Sequence, residues 1–472
     1  MHKFDVVIIG AGSAGLSALR EIRKRTDNFL LINDGPWGTT CARVGCMPSK
    51  LLIEAANAFH RRISFDEFGI TGADRLEVDN YRVLQRVRRL RDDFVASTLK
   101  TVRELGPRAL SGRARILSPE AIRVNGEKYH TRKIIIATGS RPVVPESWRD
   151  LGERLLTTDT LFEQKTLPGS IAVIGMGPVG LEMAQALSRL GVHVTGFGSH
   201  AMIGGITDPL VNQIAVSLLS DEFPLYLGAR ANVAINPQNG LITVSTGDAE
   251  IKVESVLAAL GRRPNIDEAD LEALGVPLDE KGLPPVNPDT LQIADLPVFL
   301  AGDVNQRRPL LHEAADDGHI AGLNAVGEEL ICFKRRIPLA IVFSDPNIAV
   351  AGKSFHSLQQ ETIHAGEVNF SHQGRALSAQ VNRGVLRVYA AADSGRLLGA
   401  EMCAPAGEHL AHLLALAIGQ SLTVRDLLRL PFYHPVLEEG LRTALRNLAS
   451  KFPARHESDL AMCESFDSVA LD

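Results

Sequence analysis

The chain opens on an alternation of apolar runs and glycine-rich turns. FDVVIIG is a short apolar run, AGSAGLSALREIRKR carries apolar residues at helical spacing, and FLLIND is apolar again. The same order returns in residues 170–197, SIAVIGMGPVGLEMAQALSRLGVHVTGF. Strand, glycine turn, helix and strand in succession predict a βαβ unit. The chain therefore holds two copies of a nucleotide-binding pattern, and the two together are much stronger evidence than a single GxGxxG.

Later segments predict further strands that end in turns. These are KIIIATGSRPVVP (133–145), VLAALGRRPN (256–265) and VFLAGDVN (298–305), the last leading into a helical LLHEAADDGHIAGLNAVG. From about Ile337 the pattern changes to short strands and the apolar helix HLAHLLALAIG, with no glycine loop. We therefore predict an α/β fold with two Rossmann-like domains and a C-terminal α+β domain. The polar, aperiodic end of the chain predicts a loosely held tail.

Length and charge narrow the possible functions. A chain of 472 residues is too long for one hydrophobic core. The net charge of −5 comes from interspersed acidic and basic residues, so neither a nucleic acid nor a membrane surface is expected as a partner. The arginine run in YRVLQRVRRLRDDFV alternates with apolar residues at helical spacing, which favours a solvated helix face over nucleic-acid binding.

Three features of the sequence predict the cellular location of the protein. A strand starts almost at the first residue, no apolar run approaches the roughly 18 residues of a spanning helix, and cysteine is scarce with five in the chain. We therefore expect a cytoplasmic protein. In a reducing compartment a close cysteine pair is more often catalytic than structural.

The first glycine loop has a defined set of expected roles. Gly10 allows the tight turn, Gly12 lets a pyrophosphate approach the backbone, and Gly15 allows close helix packing. An acid at the end of the second strand usually binds the adenosine ribose. Here that place holds Asn33 followed by Asp34, so one of the two is expected to serve.

Cys41 and Cys46 follow this unit at C-x4-C spacing. A disulfide closing so short a loop constrains little unfolded-chain entropy, and zinc would need further ligands, so the pair looks chemical. A reactive thiolate needs a base, and His434 with Glu439 five positions on resembles a histidine oriented by a carboxylate. HEAADDGH lacks the spacing of a zinc motif, so no metal is expected. Cys332, Cys403 and Cys463 are interpreted as packing or tail residues.

These motifs together resemble the class I pyridine nucleotide-disulfide oxidoreductase family. The resemblance rests on GAGSAG, GTTCARVGCMPSK, ATGS, GMGPVGLE, LGRRPN, AGDV and HPVLEE in this order, and covers roughly residues 4–450. It is strongest to the dihydrolipoamide dehydrogenase branch. The resemblance implies an FAD domain of residues 1–145 and 265–335, an NAD(P) domain of 146–264, a dimerisation domain of 336–455 and a flexible tail of 456–472.

The resemblance also implies roles for individual residues. Cys46 would lie next to the flavin, Cys41 would exchange with substrate, and His434 with Glu439 would act on Cys41 of the partner subunit in a homodimer. Lys50 and Glu182 match a pair near the flavin ring. The other implied cofactor-binding residues are Thr40, Ala114, Thr138, Gly139, Ser140, Gly175, Gly177, Gly180, Gly198, Gly261, Gly302, Asp303, Pro309, Leu310, Leu311 and His312. A dithiol, dihydrolipoamide or a lipoyl carrier domain by default, would pass electrons through the cysteine pair and FAD to NAD.

The chain departs from the family pattern at four places. Thr39 replaces a glycine, Arg43 replaces an asparagine between the cysteines, and Asn33 replaces the acid that reads the flavin ribose. The acid ending the second strand of the NAD unit is also absent, because Gly198 stands there before Ser199 and His200. NADP use is therefore possible beside NAD.

Several alternatives stay open at this point. Mercuric reductases lack the His–Glu pair and carry a C-terminal cysteine pair, and soluble transhydrogenases lose a redox cysteine, so neither pattern fits. A glutathione-type or other disulfide reductase ranks next, and an NAD(P)H oxidase or quinone reductase would not need His434. A non-catalytic flavoprotein scaffold or redox sensor is the alternative of another class.

Overall fold

The computed structural model describes residues 3–235, 240–247, 249–267 and 269–453. The chain forms two compact units. The first contains the described residues of Met1–Ala55, Val78–Leu167 and Leu257–Arg335, and the second those of Ala56–Glu77, Pro168–Val256 and the chain after Arg336. The predicted domain boundaries stay a prediction. The predicted tail, with Cys463, lies outside the described residues.

The first unit is built around a mainly parallel sheet. The strands of this unit, seven of which form that sheet, are Lys3–Ile9, Phe29–Asn33, Ala109–Ser111, Ala114–Ser118, Ala121–Val124, Glu127–Ile136, Ser140–Pro142, Leu155–Leu156, Arg262–Pro264 and Val298–Leu300. Its helices are Ser13–Ile22, Thr40–Arg43, Cys46–His60 (which continues past the end of the first segment), Asn80–Leu105, Thr158–Leu161 and Leu311–Val326. Short 3-10 turns cover Gly106–Arg108, Glu146–Arg154, Leu271–Leu274 and Asp303–Asn305.

The strand Lys3–Ile9 lies in the middle of this sheet. It pairs in parallel with Phe29–Asn33 on one side and with Glu127–Ile136 on the other. Val6 and Ile8 belong to the core on one face, whereas Val7 and Ile9 belong to the core on the opposite face. Both faces of the strand are covered, which explains why its sequence is an uninterrupted apolar run rather than an alternation.

The helix Ser13–Ile22 packs closely against Leu311–Val326 through small residues. A Cβ added at Gly318 would overlap the carbonyl oxygen of Ala14, and one added at Gly322 would lie 2.8 Å from that of Ala18. The hydroxyl of Ser17 donates to the Ala315 carbonyl at 2.7 Å. The helix that begins at the first glycine loop is therefore fixed by backbone-to-backbone packing.

The second unit holds a parallel sheet, a hairpin sheet and an antiparallel sheet. Its strands are Ser170–Ile174, His193–Gly198, Leu225–Leu227, Asn232–Ile235, Ile242–Thr246, Ala249–Val253, Ser255–Ala258, Leu339–Val342, Asn347–Gly352, Ile363–Asn369, Val385–Ala391 and Leu397–Ala404, with Ser255–Ala258 ending past the boundary of the unit. Its helices are Pro178–Arg189, Pro209–Ser220, Gly374–Ser378, Gly407–Gly419, Val424–Leu428 and Glu439–Ala449. Short 3-10 turns cover Arg61–Ser64, Asp66–Phe68, Ala73–Arg75, His356–Leu358 and Phe370–His372.

Two parts of this unit matter for function. The strands Ser170–Ile174 and His193–Gly198 pair in parallel around the second glycine loop. The C-terminal strands form an antiparallel sheet that packs against the helices Gly407–Gly419 and Glu439–Ala449. The predicted α/β class, with a C-terminal α+β part that has no glycine loop, is confirmed. Within the described residues, no helix combines the length and apolar character needed to cross a membrane.

Candidate active site

The first glycine loop joins the strand Lys3–Ile9 to the helix Ser13–Ile22. Gly10 has φ +109°, and a Cβ there would overlap the carbonyl oxygen of Ala137. A Cβ at Gly15 would overlap the carbonyl oxygen of Gly10. Gly12 caps the helix without any side-chain hydrogen bond, and the space beside it is open to at least 4 Å. The first-turn N–H groups therefore face open space, which suits a phosphate.

A cavity of about 500 Å³ opens beside this loop. Among the described residues that line it, the buried hydroxyl of Thr138 has no hydrogen-bond partner. The cavity is lined by Ile9, Gly10, Ile32, Asn33, Asp34, Gly112, Arg113, Ala114, Thr138, Arg141, Asn265, Asp267 and Ala269. The glycine cradle and the unpaired hydroxyl both fit the adenosine diphosphate part of a dinucleotide such as FAD.

Asn33 and Asp34 take different positions at the end of the second strand. The Asn33 side-chain oxygen accepts a hydrogen bond from the Ala11 N–H at 3.1 Å, and its amide donates to the carbonyls of Gly35 and Pro36. The Asp34 carboxylate accepts from Arg113 at 2.7 Å, and both side chains are about half exposed. Asn33 thus holds the glycine loop, and Asp34 is the carboxylate left at the cavity.

Four predicted cofactor residues, Gly139, Ser140, Gly261 and Asp303, lie around the paired strands Ser140–Pro142 and Arg262–Pro264 of the same unit. The Ser140 hydroxyl donates to the Asp303 carboxylate at 2.9 Å and accepts from Arg262 at 2.8 Å. Gly139 and Gly261 have φ of +70° and +91°, in the two turns that lead into the paired strands Ser140–Pro142 and Arg262–Pro264. Sequence reasoning missed Arg262, although the motif LGRRPN contains it.

Gly302 and the segment Pro309 to His312 lie around the start of the helix Leu311–Val326, whereas Ala114 and Thr40 lie elsewhere in this unit. Gly302 has φ +83°, and its N–H donates to the buried carboxylate of Asp317 at 2.9 Å. The predicted segment Pro309, Leu310, Leu311 and His312 is exposed where this helix begins. Ala114 is buried at the cavity, and Thr40 is exposed at the start of the helix that carries Cys41.

The second glycine loop repeats the backbone geometry of the first. Gly175 has φ +107°, and Gly177 caps the helix Pro178–Arg189 with no side-chain hydrogen bond and open space within 4 Å. Gly180 is buried in the first turn of that helix. This loop therefore fits a dinucleotide phosphate for the same reason as the first.

Gly198 ends the second strand of this loop, as the sequence predicts. A Cβ there would lie 2.8 Å from a terminal methyl of Leu227 and 3.4 Å from the Cβ of Met176. The strand end is therefore crowded by apolar side chains. Ser199 and His200 follow as exposed residues.

Cys41 and Cys46 lie on two consecutive helices, and both are thiols. Hydrogen bonding to Cys46 and burial raise the pKa of Cys41 well above the usual thiol range, while the charge of Lys50 acts in the opposite direction. The two sulfurs are therefore close enough to form a hydrogen bond with each other. Cys46 is the first residue of the helix Cys46–His60, where the positive end of the helix dipole favours a thiolate.

Lys50 and Glu182 occupy well-defined helical positions. Lys50 lies one turn after Cys46 on the same helix. Glu182 is buried on the helix Pro178–Arg189, and its carboxylate accepts the N–H of Phe343 at 3.0 Å. Their pairing near a flavin ring stays a prediction.

His434 and Glu439 come together as the sequence predicts. The His434 Nδ1 lies 3.0 and 3.1 Å from the two Glu439 oxygens, and the imidazole is exposed. Glu439 also accepts the N–H of Val436 at 3.3 Å, and the hydrogen bond from His434 lowers the pKa of Glu439. The carboxylate thus orients the ring and leaves Nε2 directed away from Glu439.

Four polar side chains at the cavity were not anticipated: Arg113, Arg141, Asn265 and Asp267. Arg141 donates to the Asn265 side chain at 2.8 Å and pairs with Asp267. They come from three separate segments of the sequence, and of the four only Asn265 lies in a motif used above, as the last residue of LGRRPN. The pairing of the strands Ser140–Pro142 and Arg262–Pro264 brings Arg141 to Asn265 and Asp267.

Comparisons with known proteins match most of the chain. Residues 4–318 match the model of the pyridine nucleotide-disulphide oxidoreductase family, and residues 338–445 match the dimerisation domain of the same family. Cys41 and Cys46 fall within the first match, and His434 and Glu439 within the second.

Individual relatives agree with these matches over nearly their whole length. A dihydrolipoyl dehydrogenase from Thermus scotoductus is 31% identical over 461 residues, with 95% of this chain and 98% of the relative covered. A mercuric reductase from Acidithiobacillus ferrooxidans is 28% identical, with 94% and 82% covered. The solved structure of LpdA from Mycobacterium tuberculosis has the same fold, with a TM-score of 0.81, 23% identity, and coverage of 94% of this chain and 99% of that chain.

Proposed function

Because this chain belongs to the pyridine nucleotide-disulphide oxidoreductase family, we propose that it oxidises dihydrolipoamide or a closely related dithiol and delivers the electrons to NAD(P)+. Enzymes of this family use FAD and a pyridine nucleotide, and this chain is such an enzyme. The observation that carries the proposal is the Cys41–Cys46 pair itself: the two thiols lie on consecutive helices within hydrogen-bond reach of each other, and that hydrogen bond together with burial raises the pKa of Cys41.

The exchange step uses the two neighbouring sulfurs in turn. In the oxidised enzyme a substrate thiolate attacks Cys41 Sγ, the Cys41–Cys46 bond breaks, and Cys46 leaves as a thiolate. The second substrate thiolate then attacks the substrate sulfur of the mixed disulfide, which releases Cys41 and completes the substrate disulfide. Two electrons thereby reach the cysteine pair. When bound, FAD would supply a two-electron acceptor for the cysteine pair and a hydride donor for NAD(P)+.

His434 is proposed as the base that takes the substrate proton. Its Nδ1 is engaged by Glu439, so Nε2 is the nitrogen available to a substrate thiol. Glu439 fixes the ring and stabilises the imidazolium that forms when the proton arrives. A carboxylate in this role needs to stay ionised, which agrees with the lowered pKa of Glu439.

We further propose that FAD is held by the first unit and the nicotinamide cofactor by the second. Gly10, Gly12 and Thr138 would hold the diphosphate and adenosine part of FAD, and Asp303 would bind its ribityl chain. Gly175 and Gly177 would hold the diphosphate of NAD(P). The open space beside Gly12 and Gly177 and the unpaired Thr138 hydroxyl support this assignment.

The match of residues 338–445 to a dimerisation domain supports a homodimer. We propose that His434 acts on Cys41 of the partner subunit, so that the dimer is the catalytic unit. A lipoyl group carried by a separate protein domain is the proposed physiological form of the substrate.

The proposed reaction can be measured in both directions. Purified protein should oxidise dihydrolipoamide with NAD+ or NADP+ and reduce lipoamide with NADH or NADPH, with much lower activity towards glutathione disulfide. Cys41→Ser and Cys46→Ser should each abolish turnover, and His434→Ala should lower kcat/KM by roughly a hundredfold or more. Cys332→Ser is the matched control and should keep full activity. Turnover of glutathione disulfide but not of lipoamide would refute the lipoyl assignment.

Flavin spectra separate the roles of the two cysteines. A long-wavelength charge-transfer band should appear in Cys41→Ser, which keeps Cys46, and be absent from Cys46→Ser. A band that depends on Cys41 instead would reverse the order of the relay.

Mixing inactive variants tests the subunit arrangement. Homodimers of His434→Ala and of Cys41→Ser should both be inactive. Heterodimers made from them should regain part of the activity, because one of their two sites contains both groups. Verified heterodimers without activity would place His434 in the site of its own subunit.

A further inference from the structure

Arg43 ends the one-turn helix Thr40–Arg43, two residues after Cys41 and three before Cys46. Its aliphatic stem lies against Gly38. A Cβ at Gly38 would be 2.9 Å from the Arg43 Cδ and 3.1 Å from a methyl of Val95, and Gly38 has φ +114°. Glycine at position 38 therefore makes the room in which the arginine side chain sits.

The Arg43 guanidinium is uncommitted, in contrast to arginines on the neighbouring helix. Over the ranges of sequence that the structure covers, its side chain makes neither a hydrogen bond nor an ion pair. Arg86 donates to the Leu51 carbonyl, Arg88 to the carbonyls of Phe162 and Gln164, and Arg91 to Asp92 and Glu163. A half-buried cation without a partner on the loop that carries Cys41 is a natural site for an anion.

We infer that Arg43 is a specificity-determining residue that binds a carboxylate or similar anion carried by the disulfide substrate. This inference rests on the proposed function, in which Cys41 exchanges with substrate. The planar guanidinium can bind a carboxylate through two parallel hydrogen bonds, which an asparagine at this position cannot do. The protein would therefore favour anionic over neutral disulfides of the same shape.

Lipoate and lipoamide provide a matched pair of probes. They share the dithiolane ring and differ in a carboxylate against an amide. In the FAD-loaded protein, Arg43→Asn should lower kcat/KM for lipoate roughly fivefold to twentyfold, mainly through KM, and change the value for lipoamide by less than about twofold. Arg43→Lys should keep part of the preference, and high salt should reduce the preference of the wild type and of Arg43→Lys but leave the ratio in Arg43→Asn unchanged.

Arg25→Asn is the control for net charge. Arg25 is exposed, follows the helix Ser13–Ile22, and its removal changes the total charge by the same amount. It should leave the lipoate-to-lipoamide ratio unchanged. An equal loss for both substrates in Arg43→Asn, or no loss for either, would overturn the inference.

A second measurement does not depend on lipoyl turnover. In a Cys46→Ser/Cys332→Ser/Cys463→Ser background, Cys41 can be reacted with 5,5′-dithiobis(2-nitrobenzoate), which carries a carboxylate on each ring, and with neutral 2,2′-dithiodipyridine. The Cys41 thiolate attacks one probe sulfur, forms a mixed disulfide and releases one aromatic thiolate. Arg43→Asn should slow the anionic probe relative to the neutral one.

The two measurements separate the possible failures. Loss of lipoyl turnover in the wild type with a charge-dependent probe reaction would refute the lipoyl substrate and support Arg43 as an anion-binding residue. A probe ratio unaffected by Arg43→Asn would overturn the role of Arg43, whatever the lipoyl activity.

Discussion

The two glycine loops share one backbone geometry but are anchored differently. At the first loop, the Asn33 side chain at the end of the second strand accepts the Ala11 N–H and donates to two carbonyls in the following turn. At the second loop the equivalent place is Gly198, which has no side chain. There, Met176 of the loop packs close to Gly196, because a Cβ at Gly196 would lie 2.9 Å from the Met176 sulfur.

The difference shows that the residue at the end of the second strand can hydrogen-bond either to the glycine loop or to the bound ligand. Asn33 is committed to the loop, and recognition of a ribose in the first unit would pass to Asp34. In the second unit Gly198 has no side chain that could anchor the loop or contact the ligand, and apolar side chains pack around it. We therefore expect tight retention of FAD by the first loop and weak discrimination between NAD and NADP by the second.

The strongest test of the shared geometry is a pair of glycine substitutions. Gly10→Ala should yield protein without bound flavin and with a lower melting temperature, because the backbone at φ +109° and the Ala137 carbonyl both exclude a methyl group. Strain of this kind alone costs on the order of 1–3 kcal/mol. Gly175→Ala, at φ +107°, should keep its flavin and lose reduction by NADH and NADPH. Flavin absorbance per chain and thermal unfolding report both effects.

If Gly175→Ala also lost its flavin, the assignment of separate cofactors to the two loops would be wrong. Gly69→Ala offers a control with positive φ but open surroundings. It should keep its flavin and its reduction by NADH and NADPH.

The next test introduces the missing acid at the end of the second strand. A carboxylate there accepts hydrogen bonds from the adenosine ribose and repels a 2′-phosphate, which is worth about 1.5–3 kcal/mol, or roughly tenfold to a hundredfold in affinity. Wild-type protein should bind NADH poorly and tolerate NADPH. Gly198→Glu combined with Leu227→Ala should raise the ratio of kcat/KM for NADH over NADPH by about that factor.

The Leu227→Ala substitution is added because Leu227 crowds position 198. A Cβ at position 198 would press on a terminal methyl of Leu227, so Gly198→Glu alone should give a smaller gain than the pair. Leu227→Ala alone is the control and should not change the cofactor preference. A wild-type preference for NADH above about a thousandfold would mean that another group reads the ribose.

The local parts of the fold and the site follow closely from sequence. Strand, glycine turn and helix are encoded within about thirty neighbouring residues, and both copies are present. The pairing of His434 with Glu439 is likewise local, because the two lie five positions apart. Such features need no knowledge of how distant segments pack.

Features that depend on how separate segments pack were not predictable from the sequence. The sequence around Asn33 does not show that the side-chain amide accepts a hydrogen bond from Ala11 rather than contacting a ligand. Arg262 reaches Ser140 only because two short strands pair across 122 residues. The crowding of Gly198 by Leu227 arises from a parallel pairing of strands that no motif in the sequence specifies.

A smaller effect is expected from changing the anchor of the first loop. Asn33→Ala would leave the Ala11 N–H without its acceptor and remove two donors from the following turn. A lost hydrogen bond of this kind costs about 1 kcal/mol, or roughly fivefold in the affinity of the apoprotein for FAD. Asn33→Asp keeps the acceptor for Ala11 and should lose less. Fluorescence titration of apoprotein with FAD measures both, and an unchanged affinity in Asn33→Ala would show that backbone packing alone holds the loop.

The smallest effect is expected from the ion pair at the mouth of the first cavity. Asp34 and Arg113 are each about half exposed, so water and salt screen their attraction. Exposed pairs typically contribute about 0.2–1 kcal/mol, and Arg113→Ala should change the free energy of unfolding by no more than that. Asp34→Asn should weaken FAD binding more than Arg113→Ala does, because Asp34 is the carboxylate available to the ribose while Arg113 only orients it. Titrations of FAD into both apoproteins at low and high salt decide the order. If Arg113→Ala weakened FAD binding tenfold or more and Asp34→Asn did not, the arginine would contact the cofactor directly. Recognition of FAD at the first loop would then depend on the positive charge of Arg113 rather than on the carboxylate of Asp34.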